Sequence, residues 1–152
     1  MGVIATGKIL IAAACLVAAG AMASNSQKAP ADEGIEPTVF PLNLPDVRWV
    51  VITENAQRTA PDVDTDLRCD RFAVTQREIA TFVRRAQGVS AQDAMHMLNW
   101  TPCLASGRVG FVDGRTGRWS VNLSRKGWLL MDDGQEIHMY CPECRLAGQR
   151  LP

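Results

Sequence analysis

The sequence predicts an α+β domain, in which one main helix packs on an antiparallel meander of four to five strands and disulfides staple the chain. Three observations support this class. A capped amphipathic helix begins near Thr75. Apolar and polar residues alternate with a period of two from Cys103 onward. An even number of cysteines remains once the N-terminal segment is set aside, as is typical of small exported domains.

The main helix is predicted over Thr75 to Gly88. Thr75 and Glu78 have the spacing of a capping box, in which their side chains bond the free amides of the first turn. Gly88 lies where a helix C-terminus favours a left-handed residue. A second, shorter helix is predicted from Ser90 through Leu98. The residues of the main helix's apolar stripe, spaced i, i+3, i+4 and i+7, are Ile79, Phe82, Val83 and Ala86.

The strands are predicted from β-branched and aromatic residues and from alternation. DVRWVVIT, at 46–53, predicts the first strand, and polar residues follow it. Tight turns are predicted where an aspartate precedes Gly114 and Gly134, which makes the later strands a meander. The predicted strands of this meander are 108–112, 118–123, 128–132 and 135–141.

The N-terminus has the pattern of a secretory signal peptide over residues 1–23. A single Lys8 precedes an apolar run that ends in small residues before Ala23, after which we predict cleavage. One alternative is lipid attachment at Cys15, and another is an uncleaved anchor. The apolar run is shorter than the roughly 20 residues that span a bilayer, which argues against an anchor. Only through these alternatives would the protein contact a membrane.

Residues 24–45 predict a flexible tether and 46–152 a single small domain. The tether contains four of the eight prolines, which oppose regular structure. Arginine outnumbers lysine by 13 to 3, a composition associated with GC-rich bacterial genomes, and export then indicates the periplasm. The chain carries 16 basic and 16 acidic residues without a basic cluster, which argues against nucleic acid as a partner.

The four cysteines of the predicted domain are expected to form two disulfides. Along an up-and-down meander, Cys141 ends at the level where Cys103 begins. We therefore expect Cys103 to pair with Cys141 or Cys144 and Cys69 to take the other, because closing a long loop stabilises more. The alternative is Cys69–Cys103 with a closed Cys141–Cys144 loop.

A soft-metal site, such as copper(I), is the alternative from another functional class. Thioether, imidazole and thiolate ligands occur together in two short stretches. Neighbouring residues of a strand point to opposite faces, so neither stretch converges locally, and we predict no metal and no other cofactor. The CxxC motif is also compatible with thiol–disulfide exchange, although little chain follows it to supply a supporting helix. The candidate ligands are Met95, His96, Met97, His138, Cys141 and Cys144.

The remaining expectation is an exported binding module whose partner is another protein of the cell envelope, as for an inhibitor, an immunity protein or an accessory subunit. No catalytic residues are predicted. Trp119 belongs on the inner face by alternation, and Trp128 follows a turn and is expected to be partly exposed. Tryptophan is favoured at interface hot spots, which supports a binding role.

The first testable prediction concerns the mature N-terminus. We expect the protein recovered from the producing cells to begin at Ser24, because signal peptidase cleaves after small residues. N-terminal sequencing together with intact mass measures this. An acylated Cys15 or a retained Met1 contradicts a soluble periplasmic protein.

Overall fold

A computed structural model describes residue 2 and residues 36–61 and 66–147 of the chain. The last two ranges form a seven-stranded antiparallel sheet with two short α-helices. Apart from Gly2, the predicted signal peptide lies outside the described residues. The helices are α1 (Gln76–Arg85) and α2 (Ala91–His96), and a single 3-10 turn spans Cys69–Arg71. The strands are β1 (Val39–Pro41), β2 (Val47–Arg58), β3 (Gln87–Val89), β4 (Cys103–Phe111), β5 (Thr116–Asn122), β6 (Lys126–Met131) and β7 (Glu136–Tyr140).

The predicted fold class, one main helix on a four- to five-stranded meander, is wrong. The strand order is β1-β3-β7-β6-β5-β4-β2, so the meander β4 to β7 forms only the centre of a larger sheet. β1 lies within the segment predicted as a tether, and β3 follows α1 directly. Both strands have three residues, too few to show a period of two. β2 continues to Arg58 through polar residues whose pairing with β4 no local pattern indicates.

One face of the sheet, the inner face, carries the core. Trp119, Leu129 and Met139 alternate inward from β5, β6 and β7 and are buried. The Trp119 indole donates its N–H to the carbonyl of Arg108 at 3.1 Å, so its burial leaves no donor unpaired. The predicted inward position of Trp119 is therefore confirmed.

Helix α1 contributes its apolar stripe to the same core. Thr75 and Glu78 form the predicted capping box, with the Glu78 amide donating to Thr75 Oγ1 and the Thr75 amide donating to Glu78 Oε2. The four stripe residues predicted from the sequence are all buried. Ser90 caps α2 by accepting a hydrogen bond from the Asp93 amide at 2.9 Å, as the second helical pattern predicted.

Gly88 is not the helix cap that the sequence predicted. Helix α1 ends earlier, where Ala86 turns to an extended conformation (φ −62°, ψ 145°), and Gly88 enters β3. A Cβ atom there would lie 2.2 Å from Cε2 of Phe40, so the glycine is required by a ring that rests on it. By contrast, Gly114 and Gly134 have φ of 91° and 93°, and both predicted hairpin turns are present.

All four cysteines of the predicted domain form disulfides, but their pairing is Cys69–Cys103 and Cys141–Cys144. The expected cross-link from Cys103 to the CxxC motif is therefore wrong. Three strand spacings of about 4.8 Å separate β4 from β7, roughly 14 Å, which exceeds the reach of a disulfide. The unforeseen end of β2 explains the pair that forms. Arg58 pairs with Cys103 and its guanidinium donates to the Leu67 carbonyl, which brings Cys69 within a Cα distance of 4.9 Å.

The second prediction tests α1 as the cover of the core. Phe82 is 0 % exposed, so Phe82→Ala should lower the free energy of unfolding by about 3–5 kcal/mol, as for other buried phenylalanines. Urea denaturation followed by tryptophan fluorescence measures this. Arg84→Ala on the exposed side of α1 is the matched control and should change stability by less than about 0.5 kcal/mol. A Phe82→Ala effect below about 1 kcal/mol contradicts this packing.

Candidate functional site

The loop of the CxxC motif follows β7 and is fixed on several sides. The Cys141 amide donates to the Arg125 carbonyl at 3.1 Å, and the Arg125 guanidinium donates to the Pro142 carbonyl. Glu143 forms an ion pair with Arg85, the last residue of α1, at 3.2 Å. The loop therefore attaches the end of the sheet to the β5–β6 turn and to α1.

Both sulfur-bearing residues of this loop are buried. Cys141 and Cys144 are 2 % and 4 % exposed, and they are joined to each other. Thiol–disulfide exchange needs attack on an accessible sulfur, so the geometry favours a structural role for this disulfide. The two disulfides together are consistent with an oxidising compartment.

The candidate soft-metal ligands do not converge on one point. Cys141 and Cys144 present no thiolate, because each sulfur is in the disulfide. His138 is half-buried on the outer face of β7, and Met139 is buried on the inner face. Met95 and His96 are exposed on α2, and Met97 is its C-terminal cap. Among the described residues, no group of three or more His, Cys, Asp or Glu side chains is close enough to hold a metal ion.

The face of the sheet opposite to α1, the outer face, carries accessible side chains. Helix α2 covers one end of it, where Lys126 donates from Nζ to the Ala94 carbonyl at 2.9 Å. Burial lowers the pKa of this lysine. Further along, the strand register aligns side chains in a row from β2 to β7. The members of this row are Val51, Arg108, Arg118, Leu130 and Glu136.

Two arginines lie directly opposite each other in this row. Arg108 of β4 pairs with Arg118 of β5, an arrangement that like charges destabilise. Arg108 is compensated by Asp132, which accepts from its Nη2 at 2.7 Å and also accepts from the Thr116 hydroxyl. The Thr116 hydrogen bond, followed by that from Arg108, lowers the pKa of Asp132, so this carboxylate stays ionised as pH falls into the ordinary aspartate range.

Arg118, the other member of the pair, is exposed and forms no hydrogen bond or ion pair with any residue that the structure describes. Its charge acts on Asp132 only at longer range, as the last of the causes that lower the pKa of that carboxyl group. An open depression of about 360 Å³ adjoins it. Small-molecule sites of this volume are mostly apolar. Charged side chains line this depression instead, so its chemistry suits a charged group better than an apolar ligand. The depression is lined by Arg108, Arg118, Leu130, Met131, Asp132 and Gly134.

An exposed apolar area continues the row at the β2 edge. Trp49 lies over Gly110, where a Cβ atom would be 2.2 Å from Cε2 of the indole. Even so, the Trp49 side chain is 39 % exposed and Val51 is 47 % exposed. Val112 is also exposed and lies beside β2, since its amide donates to the Asp46 carbonyl at 2.9 Å. We call Trp49, Val51, Val112, Arg118 and Leu130 the outer patch.

Sequence analysis did not identify the arginine pair, although one signal was present. Arg108 and Arg118 stand at equal distances on either side of Asp113, the first residue of the predicted turn. A hairpin centred there aligns them across the two strands, as the register shows. Trp128 is half-buried on the outer face, as its place after a turn suggested.

No family model, no curated protein and no solved structure matches the chain. The helices described within residues 36–61 and 66–147 lack the length and apolar character needed to cross a membrane.

The third prediction concerns the reactivity of the CxxC disulfide. Because Cys141 and Cys144 are buried, mild dithiothreitol followed by iodoacetamide should label neither cysteine in the folded protein and both after unfolding in urea. Peptide mass mapping measures the labelling. Selective labelling of this pair in the folded state contradicts a purely structural role and favours the thiol–disulfide alternative.

Proposed function

We propose that this protein is an exported, periplasmic binding module and that its outer patch recognises another protein of the cell envelope. The observation that carries the proposal is the position of Arg118, an exposed cation without a hydrogen-bonded or ion-paired partner among the described residues, in the same row as the exposed Val51. Large apolar groups near a charge that lacks a partner are typical of protein recognition surfaces.

The chemistry of the outer patch specifies what a partner must offer. The Arg118 guanidinium has no hydrogen-bonded or ion-paired partner among the described residues, so a carboxylate on the partner can pair with it. Arginine binds carboxylates through two parallel hydrogen bonds, which adds orientation to attraction. Trp49 and Val51 are exposed, so the partner should also present an apolar group that packs on them. The partner segment is therefore expected to combine an acidic side chain with an aliphatic or aromatic one.

Two further features support export to the periplasm. The N-terminal 23 residues have the pattern of a cleaved signal peptide, and both disulfides need an oxidising environment to persist. The arginine-rich composition indicates a bacterial source, for which that environment is the periplasm. An inhibitor, an immunity protein or an accessory subunit of an envelope assembly fits these features.

The fourth prediction tests the outer patch by charge reversal. Arg118→Glu places a carboxylate where the partner is proposed to present its own, so capture of the partner should fall at least about fivefold. The measurement is affinity capture from an envelope extract with the immobilised protein, followed by quantitative mass spectrometry. Partner bands captured by the wild type are then compared between variants.

Arg77→Glu is the matched control, because Arg77 is exposed on α1 and makes no hydrogen bond or ion pair with a described residue. It changes the net charge equally and should leave capture unchanged. Equal capture by the wild type and Arg118→Glu contradicts the proposal, as does equal loss in both variants, which would reflect net charge alone. Trp49 is unsuitable for this test because it also supports β2 on Gly110.

A further inference from the structure

A cavity of about 300 Å³ lies between the loop that joins β1 to β2 and the last turn of α1. Residues 41–46 form one wall and residues 83–87 form the other. No residue of the outer patch lines this cavity, so it is separate from the proposed protein-binding surface. Small-molecule sites begin at about this volume and combine apolar walls with a few polar groups.

Apolar side chains line both walls of the cavity. Leu42 and Leu44 come from the loop, and Val83 comes from α1. The two leucines are half-buried and pack against the core, so each keeps part of its surface accessible. Removal of that surface from water favours a ligand with an apolar group.

Two opposite charges line the same cavity. Arg84 belongs to the last turn of α1, and Asp46 follows the loop. Both residues are exposed, and neither side chain forms a hydrogen bond or an ion pair with the other or with any described residue. Since a cavity of this volume holds only about ten water molecules, one small ligand can reach both charges.

The backbone around the cavity offers partners to the same two kinds of group. The amides of Asn43 and Leu44 donate no hydrogen bond to a described residue, so solvent or a ligand must accept from them. On the other wall, the C-terminal end of α1 carries the negative end of the helix dipole, which favours a cation. The cavity therefore provides for an anionic group and a cationic group together.

We propose that this cavity binds a free α-amino acid with an aliphatic side chain, such as leucine. Arg84 binds the carboxylate through paired hydrogen bonds, and Asp46 binds the ammonium group. The aliphatic side chain packs on the leucines and the valine of the two walls. A simple carboxylate leaves Asp46 without a partner, and a simple amine leaves Arg84 without one, so a ligand with both charges satisfies the site best. This site goes beyond the proposed envelope partner and does not depend on it.

An NMR titration of the isotope-labelled full chain with L-leucine tests the site. L-leucine should shift the backbone amide signals of the residues that line the cavity, with a dissociation constant of about 1 mM or tighter. Three probes each remove one group of this ligand. Isocaproate lacks the ammonium group, isoamylamine lacks the carboxylate and glycine lacks the side chain. Each probe should bind at least about tenfold more weakly than L-leucine.

Two substitutions connect each charge of the protein with one group of the ligand. Arg84→Gln should weaken L-leucine binding at least about tenfold and leave isoamylamine binding within about twofold, because only the carboxylate loses its partner. Asp46→Asn should weaken L-leucine binding and leave isocaproate binding within about twofold for the same reason. Arg77→Gln is the matched control and should bind L-leucine as the wild type does, because Arg77 is exposed on the same helix and does not line the cavity.

Absence of shifts with L-leucine at about 10 mM overturns the proposal. Shifts confined to residues elsewhere also overturn it, as does binding of isocaproate or isoamylamine as tight as that of L-leucine. Equal binding of L-leucine by the wild type and Arg84→Gln, or equal losses in Arg84→Gln and Arg77→Gln, contradicts the role of Arg84. None of these outcomes affects the envelope partner, since the titration uses the purified chain alone and Arg118 lies outside this cavity.

Discussion

The contact of the Phe82 ring with the backbone of Gly127 fixes α1 on the sheet. A Cβ atom at Gly127 would lie 2.7 Å from Cε1 of Phe82 and 3.2 Å from Cε of Met139, so the ring occupies the space that a side chain would fill. The helix can therefore approach the sheet closely, and Ile79 and Val83 complete the buried layer. Because this single helix covers the inner face, most of the outer face is left to solvent.

The same kind of contact holds both edges of the sheet. β1 and β2 are the two edge strands, and each places an aromatic ring on a glycine of its neighbour. Phe40 lies on Gly88 of β3, and Trp49 lies on Gly110 of β4. An aromatic ring over a glycine restores the packing that the missing side chain would supply. The exposure of Trp49 thus reflects a role in the fold as well as in the outer patch.

The sequence predicted the elements that local chemistry determines. The capping box at Thr75 and Glu78 and the turns at Gly114 and Gly134 each depend on residues a few positions apart. The missed elements depend on distant residues instead. β3 needs β1 and β7 on either side, and the polar end of β2 needs β4. Neither β3 nor the polar end of β2 therefore shows the alternation of apolar and polar residues that predicts a strand.

The disulfides illustrate how a correct local inference can still give a wrong pairing. Chain entropy favoured the longer loop from Cys103 to the CxxC motif. The comparison of loop entropies applies only to cysteines whose Cα atoms can approach within disulfide distance. Strands β5 and β6 lie between β4, which begins at Cys103, and β7, which precedes the CxxC motif. The extension of β2 to Arg58 determined the partner of Cys103, and no local pattern predicts that extension. For the outer patch, the hairpin turn was sufficient to align Arg108 with Arg118, but only the structure shows that Asp132 pairs with Arg108 and that Arg118 has no ion pair among the described residues.

One disulfide and one ion pair attach α1 and the turn before it to the rest of the domain. Cys69–Cys103 attaches the turn before α1 to the start of β4, and Glu143, within the CxxC loop, pairs with Arg85 at the end of α1. That exposed ion pair contributes little energy, so the disulfides and the buried rings provide most of the restraint at this side. Trp49 of the outer patch makes none of these connections, but it packs on Gly110. Arg118 makes none of them either, so a substitution at Arg118 should leave the attachment of α1 and the core intact.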